Sequence, residues 1–161
     1  MSTRITIIGA GPGGYTAAFE AAKAGAEVTL VESARMGGTC LNCGCIPTKT
    51  LKSSAEALET IRRAAEFGLS GAGDARVDMP AVVARKRKVI ETLRGGLEKT
   101  CARLKVRLVR GRGRVVDASL VEVALDDGSV ENVPGDKVVI ATGSNTLNVP
   151  SLPIDHTHIL T

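Results

Sequence analysis

The opening stretch of the chain leaves its fold little freedom. Residues 4–8, Arg-Ile-Thr-Ile-Ile, form a run that is β-branched after Arg4 and largely apolar, the composition of a buried parallel strand. Gly9-Ala10-Gly11-Pro12-Gly13-Gly14 follows at once and contains G-x-G-x-x-G. Residues 15–24 are alanine-rich and predict a helix, with Gly25 as its C-terminal stop. Residues 27–31, Glu-Val-Thr-Leu-Val, predict a second strand ending at Glu32. Strand, glycine turn, helix and strand in that order form a βαβ unit, and the crossover makes the two strands parallel.

In this context each glycine has its own task. Gly9 permits the tight turn, Gly11 lets backbone approach a pyrophosphate, and Gly14 lets helix and strand pack closely. The helix N-terminus, opened by Pro12, then faces the phosphates. Glu32 is placed to accept hydrogen bonds from ribose hydroxyls. The pattern predicts a dinucleotide and does not by itself separate FAD from NAD. A net charge of +4 suits such an anionic ligand.

The second marked stretch is Gly37-Gly38-Thr39-Cys40-Leu41-Asn42-Cys43-Gly44-Cys45-Ile46-Pro47-Thr48-Lys49, which holds three of the four cysteines. On an unbroken helix Cys40 and Cys45 would be roughly 8 Å apart along the axis and point about 140° apart. A disulfide needs Cα atoms about 4.4–6.8 Å apart, so a bond between them requires a break in the helix. Gly44 tolerates unusual dihedrals, Asn42 tolerates turns, and Pro47 starts or kinks a helix. The following helix would present its positive end to Cys45 and lower its pKa. A redox-active pair is one reading. Three incidental thiols is another, and Cys40, Cys43 and Cys45 as metal ligands is a third, although zinc sites favour four ligands in paired spacing. Cys101 reads as a small apolar core residue.

Downstream, Thr48 to about Phe67 has helical periodicity, through Leu51, Ala55, Leu58, Ile61 and Ala65, and stops at Gly68. Residues 68–77 read as a surface loop. Asp78 with Pro80 opens a helix to about Leu104, weakened by Gly95-Gly96. Residues 105–110 predict a third core strand. Short β segments follow near 112–116, 120–125 and 130–133, with a hairpin at Asp126-Asp127-Gly128. Lys137–Ala141 predicts a final buried strand ending at Thr142-Gly143-Ser144. The rest, with Pro150 and Pro153, reads as a linker.

Composition narrows the classes. Aromatics are 2%, so Arg85-Lys86-Arg87-Lys88 reads as a solvated helix face and no nucleic-acid surface is expected. No apolar run is long enough to span a membrane, and the start lacks a secretory pattern. Cysteines without secretory context point to a cytoplasmic protein.

Taken together, ITIIGAGPGGYTAA, VTLVE, GGTCLNCGCIPTK and VVIATGS resemble the flavin-dependent disulfide oxidoreductases that include dihydrolipoamide dehydrogenase, glutathione reductase and mercuric reductase. The wording of the cysteine motif is most similar to dihydrolipoamide dehydrogenase. The resemblance implies an α/β fold, an FAD/NAD(P)-binding Rossmann-like parallel sheet with a small antiparallel β-meander. It implies that Gly9, Gly11, Pro12 and Gly14 line the FAD pyrophosphate, that Glu32 binds the adenosine ribose, and that Gly38 and Thr39 lie along the cofactor. Cys40 would exchange with a dithiol substrate, Cys45 would contact the flavin, and Lys49 would lie near its reactive edge. Gly113 would face the adenine end, and Thr142, Gly143 and Ser144 would close over the cofactor. The implied substrate is a lipoyl-bearing carrier protein or a small dithiol, the final acceptor is NAD, and the full-length enzyme is a homodimer. A related reductase acting on glutathione or mercuric ion, or a non-catalytic dinucleotide-binding fragment, are the alternatives. Because such enzymes are longer, residues 1–145 are expected to be an incomplete FAD-binding domain and residues 146–161 a linker toward a nicotinamide-binding domain.

Overall fold

The structure, a computed structural model, describes residues 2–160. Its element order is β1 (Arg4–Ile8), α1 (Pro12–Lys23), β2 (Glu27–Glu32), α2 (Gly38–Asn42), α3 (Cys45–Arg62), a 3₁₀ turn (Ala64–Phe67), α4 (Met79–Arg103), β3 (Arg107–Asp117), β4 (Leu120–Leu125), β5 (Val130–Pro134) and β6 (Lys137–Ile140). The six strands form a sheet in the order β5-β4-β3-β2-β1-β6. β1 pairs in parallel with β2 and β6, and β2 pairs in parallel with β3. The expected α/β architecture, parallel core plus antiparallel meander, is present.

Period-two alternation divides the strand residues between two cores. Ile7, Val28 and Leu30, with Val106 just before β3, face α1 and α4, where they meet Ala18, Met36 and Cys101. Ile8, Val31 and Val109 face the other way and meet Val121, Val123 and Val133 of the meander. The meander is therefore the second layer over the βαβ unit. Cys101 is buried in the first core, as a small apolar residue would be.

Local chemistry sets the helix ends. Asp78 caps α4 by accepting from the Ala81 amide at 3.0 Å. Pro12 sits in the first turn of α1, where a missing N–H costs no helical bond, so the helix starts three residues earlier than the alanine run suggests. α4 runs through Gly95-Gly96 without a break.

Three expectations change. The segments near 105–110 and 112–116 are one strand. β3 pairs in parallel with β2 through Arg110 and antiparallel with β4 from Gly111, so one strand serves both the core and the meander. β6 is not buried. It pairs with β1 alone, and Ile140 is 69% exposed because nothing among the described residues covers its outer side. The helix expected over Thr48 to about Phe67 is α3 from Cys45 to Arg62 followed by the 3₁₀ turn Ala64–Phe67, and it packs mainly on α4, leaving Leu51 and Ile61 exposed.

Candidate active site

The site forms where three loops converge at the C-terminal ends of the parallel strands. The first is the glycine turn after β1. A Cβ on Gly14 would stand 1.7 Å from the Gly9 carbonyl oxygen, so α1 lies directly on the turn. Gly9, at φ +100°, is bounded on its other side by residues after β6, with a hypothetical Cβ 2.3 Å from the Ala141 oxygen and 3.0 Å from Thr142 Cα. This brings Thr142 to the glycine turn; Gly143 and Ser144 continue outward as exposed backbone. α1 begins with no side-chain cap and no acidic residue in its first turn. Its first amide groups are therefore open to an anion.

The second loop follows β2. Glu32 is 9% exposed, and its carboxylate accepts from the Ala10 amide at 2.7 Å and the Ala34 amide at 2.8 Å. It thus ties the two loops together. Each oxygen retains a second lone pair for a ligand hydroxyl. Gly37 N–H donates to the Ala10 carbonyl at 2.8 Å, drawing the cysteine stretch against the glycine turn. Thr39 is exposed beside this contact. Gly113 lies in the meander, where a Cβ would meet Ile8 and Val31 at 3.1 and 3.3 Å. Packing alone thus gives Gly113 a reason to be glycine.

The cysteine stretch is two helices with a break between them. Cys40 is in α2, Cys43 is its C-cap, and Cys45 is the first residue of α3. Gly44, with φ −117° and ψ −102°, makes the turn, and the amides of Cys43 and Gly44 both donate to the Thr39 carbonyl at 2.8 Å. Pro47 is buried in the first turn of α3, where its missing N–H costs nothing. The interruption brings the two thiols together. The neighbouring Cys45 side chain pushes the Cys40 thiol above its ordinary value, and burial adds to this. The Cys45 backbone N–H and the Lys49 ammonium pull in the opposite direction. The positive end of α3 therefore acts on the Cys40 sulfur. Cys40 is half-buried; Cys43, Cys45 and Lys49 are exposed. Among the described residues no group of three metal-ligating side chains is close enough to hold an ion.

The sequence reading missed the side chains behind α2. Asn42, expected only to ease a turn, donates to the carbonyls of Met36 and Gly38 and accepts from Arg94 of α4. No local pattern signals an arginine so distant in sequence. Two surface recesses, about 390 Å³ beside Arg107, Arg110 and Asp127 and about 230 Å³ beside Arg4, Glu27 and Lys105, lie away from the cysteines. The site is instead a set of converging backbone turns.

The pyridine nucleotide-disulphide oxidoreductase family matches this chain over residues 3–160. Dihydrolipoyl dehydrogenase of Chlamydia muridarum is 41% identical over 147 residues, covering 91% of this chain and 31% of that protein. The enzyme of the same name from Geobacillus stearothermophilus is 38% identical over 151 residues, covering 94% and 32%. The crystal structure of LpdA from Mycobacterium tuberculosis superposes with a TM-score of 0.86 at 28% identity, covering 98% of this chain and 35% of that one. The chain thus spans about a third of the length of these relatives.

Proposed function

This chain belongs to the pyridine nucleotide-disulphide oxidoreductase family, and from that membership we propose that residues 1–145 are the FAD-binding part of a dihydrolipoamide dehydrogenase. Residues 146–161 then form a linker toward a nicotinamide-binding domain. The observation that carries this reading is the pair of neighbouring thiols, Cys40 and Cys45, on two helices broken at Gly44 beside the glycine turn.

The residues fit FAD. Gly11 leaves backbone bare, the first turn of α1 has no side-chain cap, Glu32 is held at the end of β2, and Thr142 borders the turn. In this reading Gly9, Gly11, Pro12 and Gly14 hold the pyrophosphate and Glu32 the ribose. Gly38, Thr39, Gly113, Thr142, Gly143 and Ser144 border the rest. FAD, when bound, supplies a two-electron acceptor for the reduced cysteine pair.

The thiol chemistry belongs to the chain itself. A substrate thiolate attacks Cys40 of the Cys40–Cys45 disulfide, an S–S bond forms between substrate and Cys40, and Cys45 leaves as a thiolate. The second substrate thiol attacks the mixed disulfide, cyclic lipoamide departs, and the Cys40 sulfur takes a proton. Two electrons have then passed from dihydrolipoamide to the cysteines. Lys49, one helical turn after Cys45, favours negative charge on Cys40. Exposure alone would favour attack at Cys45; the family pattern assigns exchange to Cys40 and flavin contact to Cys45. In the complete protein the electrons continue to NAD, the substrate is a lipoyl group on a carrier protein or a small dithiol, and the assembly is a cytoplasmic homodimer.

The test uses the oxidised chain without nucleotide. Dihydrolipoamide should release two thiols per chain, and Cys40→Ser or Cys45→Ser should abolish this. Added FAD should remain with the protein through gel filtration as a yellow complex. A pair inert to dihydrolipoamide but reduced by glutathione would reassign the substrate. A chain that neither closes the pair nor retains FAD would overturn the reading.

A further inference from the structure

The two sulfurs ride on different helices, and α4 holds both helices from behind. Arg85 donates through Nη1 to the Thr50 carbonyl of α3 at 3.0 Å. Arg94 donates through Nη2 to Asn42 Oδ1 of α2 at 2.7 Å. The Asn42 amide nitrogen donates in turn to the carbonyls of Met36 at 3.1 Å and Gly38 at 2.9 Å. One turn further along α4, Glu98 accepts from Arg110 at 2.7 Å, and Arg110 donates to the Ala34 carbonyl at 3.1 Å. The segment from Ala34 to Asn42, which carries Cys40, is gripped at both ends from one helix.

α2 needs such support. Five residues cannot form a stable helix unaided. Apart from the Cys40 thiol beside Cys45, Asn42 is the α2 side chain that, among the described residues, hydrogen-bonds to the rest of the protein. Arg94 is also expensive where it stands, because its Nε is buried without a partner. A donor left so is destabilising, and a methionine would fill the space without it.

We propose that Arg94 is a positioning residue for the redox pair: through Asn42 it fixes α2, and so sets how closely the Cys40 sulfur meets Cys45. The inference rests on the reading of these cysteines as a redox disulfide. Arg94 bonds Asn42 and not the cysteine itself, so its effect runs through placement.

The experiment equilibrates the chain in glutathione buffers, in a Cys43→Ser background, and quantifies the Cys40–Cys45 disulfide by peptide mass spectrometry. Arg94→Met should make the disulfide easier to reduce by on the order of tenfold, the scale of coupling within one hydrogen-bond network. Its urea midpoint should be unchanged or higher. Asn42→Ala should reproduce the redox shift, the double variant should be no worse than either single one, and Arg94→Lys should recover part of the wild-type value. An unchanged equilibrium, a shift that merely follows lost stability, or additive effects would overturn the proposal. Should Arg94→Met fail to fold, Asn42→Ala and Arg94→Lys still decide it. If the parent pair never closes, the redox reading and this inference fall together; if it closes equally well in Arg94→Met, only this inference falls.

Discussion

Gly38 stands against Gly11: a Cβ on Gly38 would lie 2.7 Å from Gly11 Cα, and the residue itself is at φ +58°. The loop that carries the cysteines and the turn expected to hold a pyrophosphate are therefore in direct backbone contact. Any side chain at Gly38 separates them.

Gly38→Ala should lose about 1–2 kcal/mol from its left-handed backbone alone, and more from the clash. It should also weaken FAD retention, since the two loops move apart. Urea denaturation and the absorbance of flavin remaining after gel filtration measure the two effects. A variant with full stability and full flavin content would contradict this contact.

Gly95→Ala should do the reverse. Gly95 lies inside α4 with nothing within 4 Å of a hypothetical Cβ. Replacing glycine in a helix interior stabilises by about 0.5–1 kcal/mol. The urea midpoint should rise while the cysteine redox equilibrium stays put.

Glu32→Ala removes the acceptor for the amides of Ala10 and Ala34. The Ala10 amide is buried, and an unsatisfied buried donor costs about 1–3 kcal/mol. We expect that loss in the chain without cofactor, plus weaker FAD binding. Thermal melts with and without FAD separate the two contributions.

The Cys40 thiol is raised above its ordinary value of 9.0 chiefly by the neighbouring Cys45 side chain, which favours the protonated form. The folded, reduced state thus holds this proton more tightly than the unfolded state does. The associated stability is complete below the unfolded pKa and is lost as pH rises through the folded one. Alkylation of Cys40 in the reduced chain should therefore accelerate at higher pH than in a model peptide. Cys45→Ala should move that profile downward; a profile that stays in place would show that the thiol contact is not its cause.

Cys43 is exposed and Cys101 is buried. Limited treatment with iodoacetamide should label Cys43 well before Cys101, as read by mass spectrometry. Cys43→Ser should leave Cys40 and Cys45 able to close their disulfide. Loss of closure in that variant would make Cys43 part of the pair's chemistry.

What the sequence determined by itself is local. The βαβ unit, the Asp78 cap, the stop at Gly68, the hairpin at Asp127-Gly128 and the helix break at Gly44 all follow from residues within a few positions of one another. One residue's dihedral freedom or one missing N–H is enough to place each of them. Tertiary structure decided which strand changes partners at Gly111, which strand is left at the edge, and what stands behind Cys40. Arg94 and Asn42 are 52 positions apart, and Arg85 and Thr50 are 35 apart. No periodicity reaches that far. Such pairs meet only because burying Ile7, Leu30 and Cys101 in one core lays α4 behind the cysteine loop.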